Sequence, residues 1–87
     1  KPTIMQIINN PSEFKSVLRK TTRVIFQSED LRIEANKIHN RDSRRYFQLK
    51  YYYLIDNVWQ PFSTFVSNTV IDCLNDFDYQ FKVFKLC

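Results

Sequence analysis

Apolar side chains along this chain recur with two periods, one of two residues and one of a helical turn, and the switches between them mark the expected elements. Residues 3–8 form a short apolar run that predicts a first strand. Asn9-Asn10-Pro11 breaks it. Asn10 suits a helix N-cap, and Pro11 suits the first helical position, where a missing N–H costs nothing. Phe14, Val17 and Leu18 follow on one helical face, while Lys15, Arg19 and Lys20 occupy the others, so a helix is expected to about residue 20.

Residues 23–27 are rich in β-formers (Val24, Ile25, Phe26), and Ser28-Glu29-Asp30 reads as a polar turn. Leu31, Ile33 and Ala35 then alternate with Arg32, Glu34 and Asn36, the signature of a half-buried strand. Residues 39–43 read as a hairpin loop. Residues 44–55 carry the longest strand signal. Phe47, Leu49, Tyr51, Tyr53 and Ile55 share one face, expected as core, and Tyr46, Gln48, Lys50, Tyr52 and Leu54 share the other. Asp56-Asn57 predicts a turn, after which Val58-Trp59-Gln60 reads as a short returning strand.

Pro61 then opens a helical stripe over residues 62–77: Phe62, Phe65, Val66, Thr69, Val70, Cys73, Leu74 and Phe77 fall at i, i+3, i+4, i+7, i+8, i+11, i+12 and i+15. Tyr79, Phe81 and Val83 alternate again and predict a closing strand over residues 79–86. The expected fold is α+β, a small antiparallel sheet of four to six strands with two helices packed on one face, in the order β-α-β-β-β-(β)-α-β.

Composition narrows the chemistry. An 87-residue chain allows one domain, and its 44% hydrophobic content, with eight Phe and five Tyr, suffices for a packed core. It contains no glycine, which excludes phosphate-cradling loops, dinucleotide fingerprints and nucleophile elbows. Tight turns must then use Asn and Asp, the residues that best tolerate the left-handed region after glycine. The two cysteines, Cys73 on the apolar stripe and Cys87 at the end, make no disulfide framework and favour a reducing, intracellular setting, cytoplasmic or nuclear, peripheral to membrane at most. No apolar run approaches ~18 residues, so no transmembrane segment is expected. The first residue is Lys1, and the chain reads as a fragment of a longer protein.

Charge is unevenly spread. Residues 15–50 hold ten Lys or Arg against four acids, and residues 51–87 hold two Lys against four Asp. Catalysis lacks parts: His39 is the one histidine, no Ser or Cys is visibly partnered with it, and one His with two distant Cys makes no zinc pattern. No enzyme activity, cofactor or metal is expected. The candidate site is a basic hairpin, with Lys37, Arg41, Arg44, Arg45 and Lys50 meeting an anionic partner and Tyr46, Tyr52 and Trp59 as aromatic contacts. Such a set suits acidic phospholipid headgroups, a nucleic-acid backbone with stacked bases, or a protein partner. A solvated, solubilising hairpin is the alternative.

The order of segments carries a resemblance. Phe14-Lys15-Ser16-Val17-Leu18 is followed by Val24-Ile25-Phe26, Leu31-Arg32-Ile33-Glu34, the run from Tyr46 through Tyr53-Leu54-Ile55-Asp56-Asn57, and a late helix over residues 62–77. Over residues 4–77 this resembles the kinase-associated domain at the C-terminus of some Ser/Thr protein kinases, most closely the version in catalytic subunits of AMP-activated protein kinases. The resemblance implies a non-catalytic regulatory module that binds anionic phospholipid, restrains its own kinase domain or docks a partner subunit. That family's fold ends on its last helix, whereas the alternation at Tyr79, Phe81 and Val83 predicts a further strand.

Overall fold

The computed structural model describes residues 6–21, 23–39 and 45–86. Their order is β1 (Gln6–Ile8), α1 (Pro11–Leu18), β2 (Arg23–Gln27), β3 (Leu31–His39), β4 (Arg45–Ile55), β5 (Val58–Ser67) and α2 (Val70–Leu86). The class is α+β. The five strands form one sheet in the order β1-β2-β3-β4-β5. It is mixed rather than wholly antiparallel, because α1 carries the chain back between β1 and β2 and so makes that pair parallel. The other three pairs are antiparallel.

Local chemistry accounts for the N-terminal half as expected. The Asn10 side chain accepts the Glu13 N–H at 3.0 Å, and Pro11 opens α1. Asp56 and Asn57 take φ of 52° and 64°, so both residues of the β4–β5 turn lie in the left-handed region. That geometry matches the right-handed twist of the flanking strands and fixes the register Ile55↔Val58. His39, expected in a loop, is instead the last residue of β3, paired with Arg45.

The largest difference lies downstream of that turn. Residues 62–67 belong to β5, not to a helix, because the tight turn commits the returning chain to the ladder. Leu49 pairs with Phe65 and Phe47 with Ser67. Phe62 is the extra residue of a β-bulge between the Tyr51↔Ser63 and Tyr52↔Pro61 pairs, and it stacks on Tyr53 at 3.9 Å between centroids. Pro61 is tolerated because β5 lies at the sheet's edge. The helix starts only after Thr69, whose hydroxyl accepts the Asp72 N–H at 3.3 Å while the Asp72 carboxylate accepts the Ser67 hydroxyl at 2.8 Å. From there the helical stripe holds and extends. Cys73, Leu74 and Phe77 are buried, and Val70, Phe81 and Phe84 pack against them. The closing strand expected over residues 79–86 is the second half of α2. Tyr79 and Val83 point to solvent, while Phe81 lies 5.5 Å from the Phe77 ring.

Both helices cover the same face of the sheet. Phe14 of α1, Phe26 of β2 and Phe77 of α2 meet with centroids 4.8 to 5.7 Å apart. Leu31, Ile33, Ala35, Leu49 and Tyr51 floor this cluster. Tyr51 is fully buried, and its hydroxyl donates to Asp76 of α2 at 2.6 Å. Burial foremost, and then the Asp76 carboxylate, raise the Tyr51 phenol far above its usual range. Burial likewise pushes the Cys73 thiol up to about 11.

Two outcomes follow. Replacing Phe81 by Ala should destabilise the chain by about 3–5 kcal/mol, and Tyr79→Ala should change stability by less than about 0.5 kcal/mol in urea unfolding. Equal losses would return residues 79–83 to a strand with both rings inward. The raised pKa values also set a pH dependence. In the unfolded chain Cys73 and Tyr51 lose protons near their usual 9.0 and 10.0, but the folded chain holds them to higher pH. Their contribution to stability is therefore full below pH ~9 and lost above it, so the thermal midpoint should fall on raising the pH past that point. Tyr51→Phe should flatten the fall above pH ~10, and an unchanged slope would show that Tyr51 ionises freely.

Candidate anion-docking end of the sheet

The strand register decides which predicted site residues share a surface. Leu31, Ile33 and Ala35 point toward the helices, so Arg32, Glu34 and Asn36 occupy the helix-free face. On that face Arg32 pairs with Tyr52, Glu34 with Lys50, and Asn36 with Gln48. Trp59 pairs with Leu54 and lies on the same face, as does Tyr46. Lys37 lies on the opposite face, its Nζ 5.5 Å from the centroid of the Phe47 ring. Lys37 and Lys50, expected to act together, are therefore on opposite sides of the sheet. Arg45 begins β4 opposite His39. Arg41 and Arg44 lie outside the described residues.

The three aromatic candidates do share one face. Tyr46, Tyr52 and Trp59 are half-buried there. The Tyr52 hydroxyl donates to Glu34 at 3.2 Å, and Arg32 ion-pairs with the other Glu34 oxygen at 3.0 Å. Arg32 also donates to the Gln27 side chain. Burial and then the Glu34 charge raise the Tyr52 phenol above its usual range. This polar row holds the ring in place over the middle of the sheet.

The register gathers a different set of cations at one end of the strands. The chain leaves α1 through Arg19 and Lys20, where the Lys20 and Thr21 N–H groups both donate to the Val17 carbonyl. The Thr21 hydroxyl then accepts the Arg23 N–H at 3.3 Å and turns the chain into β2. Arg23 pairs with Asn36, next to Lys37. Arg19, Lys20 and Arg23 are exposed and Lys37 is half-buried, so the four stand together where α1 and β3 end and β2 begins. His39 and Arg45 mark the same end. Among described acids only Asp72 is near, at the start of α2 and held by Ser67.

The other end of the sheet is acidic. Glu13 in the first turn of α1, Glu29 and Asp30 between β2 and β3, and Asp56 between β4 and β5 all lie there, with Lys82 toward it on α2. Charges between the two ends are largely paired, Lys15 with Asp78 at 2.9 Å and Arg32 with Glu34. Arg19 and Lys20 gain from the negative end of the α1 dipole, which explains part of their placement, but Arg23 and Lys37 are on strands and gain nothing from it.

Arg19, Lys20 and Arg23 were not singled out from the sequence, although all three fall in the basic stretch of residues 15–50. Their grouping with Lys37 depends on the β2–β3 pairing, which a linear reading does not supply. No group of three His, Cys, Asp or Glu placed to hold a metal occurs among the described residues. No helix among them is long and apolar enough to cross a membrane. No protein-family model, curated protein or solved structure matches the chain.

Proposed function

We propose that this chain is a non-catalytic regulatory binding module, part of a protein kinase, that docks on an acidic phospholipid surface through the basic end of its sheet. The observation that carries the reading is the separation of charge along the strands, with Arg19, Lys20, Arg23 and Lys37 at one end and Glu13, Glu29, Asp30 and Asp56 at the other. The kinase-associated resemblance adds weight. Of the late helix that belongs to that resemblance, residues 70–77 are helical and residues 62–67 are strand. Cations contributed by α1, β2 and β3 suit an extended anionic surface. At about 1 kcal/mol each, the four provide about 4 kcal/mol, which alone corresponds to roughly millimolar affinity. Such docking is weak and reversible, and the chain by itself shows it at millimolar accessible lipid.

Vesicle sedimentation tests this. Binding should be absent with pure phosphatidylcholine, rise with the phosphatidylserine fraction and fall with salt. Lys20→Glu with Arg23→Glu should abolish it, while Lys50→Glu should only weaken it, since Lys50 pairs with Glu34, two residues or ~7 Å up the strands from the Arg23–Asn36 pair. Wild-type binding by the double variant, or equal binding to neutral vesicles, would overturn the reading.

The helix-free face favours a second reading, a single-stranded nucleic acid stacked on Tyr52 and Trp59 with phosphates near Lys50. Trp59 is the only tryptophan in the chain and lies on that face, so its fluorescence should be quenched by an oligonucleotide if this reading holds. Tyr52→Ala should then weaken binding by about 1–3 kcal/mol and leave a steep salt dependence. Absence of quenching at low salt would eliminate it.

A further inference from the structure

The charge separation also selects an orientation, and three are available. The helix-free face could lie flat on the bilayer through Tyr46, Tyr52, Trp59 and Lys50. The β4–β5 hairpin tip could enter first, since Ile55 and Val58 are each 53% exposed beside its turn. The basic end could meet the surface with the strands standing upright. We infer that the module docks upright on acidic phospholipid, basic end down, with the hairpin tip and Trp59 held away in water. This rests on the docking reading above and specifies its geometry.

Lengths and charges decide between the three. Trp59 pairs with Leu54, and Lys37 pairs with Phe47. The seven residue steps along β4 from Phe47 to Leu54 span ~23 Å at ~3.3 Å each. The molecule's longest extent is 39 Å, so the two ends are well apart on its own scale. That spacing exceeds the Debye length of ~8–10 Å, and in the upright pose the acidic end is screened from the headgroups. Entering tip-first would instead press Asp56, flanked at that end by Glu29 and Asp30, against lipid phosphates. Its apolar gain from Ile55 and Val58 would be set against repulsion at contact, with the basic cluster left in solvent. Lying flat engages Arg23, Arg32 and Lys50, but Arg32 is already paired with Glu34 and Lys37 is on the far side of the sheet. Only the upright pose brings Arg19, Lys20, Arg23 and Lys37 to the surface together.

Trp59 reports the orientation directly. The 87-residue chain is bound to phosphatidylserine–phosphatidylcholine vesicles, with sedimentation confirming occupancy, and its emission is recorded with ordinary and with acyl-brominated lipids. Upright docking leaves the Trp59 maximum unshifted, unquenched by bromine and as open to acrylamide as in free protein. A paired variant carries Trp59→Phe with Asn68→Trp, which moves the indole to an exposed position beside the basic end. Its emission should shift to the blue and lose intensity with brominated lipid. Sedimentation accompanied by a blue shift and bromine quenching of Trp59 would overturn the upright pose and leave docking standing. Sedimentation with neither indole quenched would also overturn it, since the basic end would not be at the interface. Failure to sediment at any phosphatidylserine fraction would overturn the docking reading itself.

Discussion

The meeting of Phe14, Phe26 and Phe77 is the contact on which the rest of the fold depends. Each ring comes from a different element, two helices and the strand between them, and each is fully buried. It sets α1 and α2 on the same side of the sheet, although they are separated by four strands of chain. Once both helices lie there, the other face has no described element over it. The parallel β1–β2 pair follows from the same contact, because α1 must cross back over β2 to place Phe14. A two-layer domain of this size has little apolar area to spare, so the three rings and the Tyr51–Asp76 hydrogen bond hold α2 in both depth and register.

How much of this could be read from the sequence depended on how local the deciding interaction was. Asn10 and Pro11 start α1 through contacts within four residues, and the helix is where they imply. The alternation of Phe47, Leu49, Tyr51 and Tyr53 is likewise local, and that face is the core. The stripe from Phe62 to Phe77 fits a helix at every position, yet its first third is strand. The two-residue turn at Asp56-Asn57 and the pairing with β4 outweigh periodicity there, and periodicity contains no record of what lies alongside. A local marker was nonetheless available. Thr69-Val70-Ile71-Asp72 has the hydroxyl and carboxylate spacing of a helix start. The error at residues 79–86 had the opposite origin, since three alternating apolar positions are too few to outweigh a stripe already running in frame.

The candidate surface was less legible for a related reason. A basic hairpin is visible because its residues are neighbours in the chain. The cluster of Arg19, Lys20, Arg23 and Lys37 exists only through the antiparallel pairing of β2 with β3, which sets Arg23 opposite Asn36, the residue before Lys37. The residues expected as one site, Lys37 on β3 and Lys50 on β4, fall instead on opposite faces of the sheet.

The outer strand has a consequence for how copies of this chain treat one another. β5 presents one side of its backbone without a neighbour in the described sheet, a row of donors and acceptors onto which a foreign strand could add. Pro61 supplies no N–H to that row, and the bulge at Phe62 throws the spacing of the following groups out of step. An incoming strand meets a short run at Val58–Gln60 and another at Ser63–Ser67, but no continuous ladder. With β-rich segments and no glycine to loosen them, such a chain would otherwise be prone to stacking end on end into fibres. The proline and the bulge blunt this edge of the described sheet.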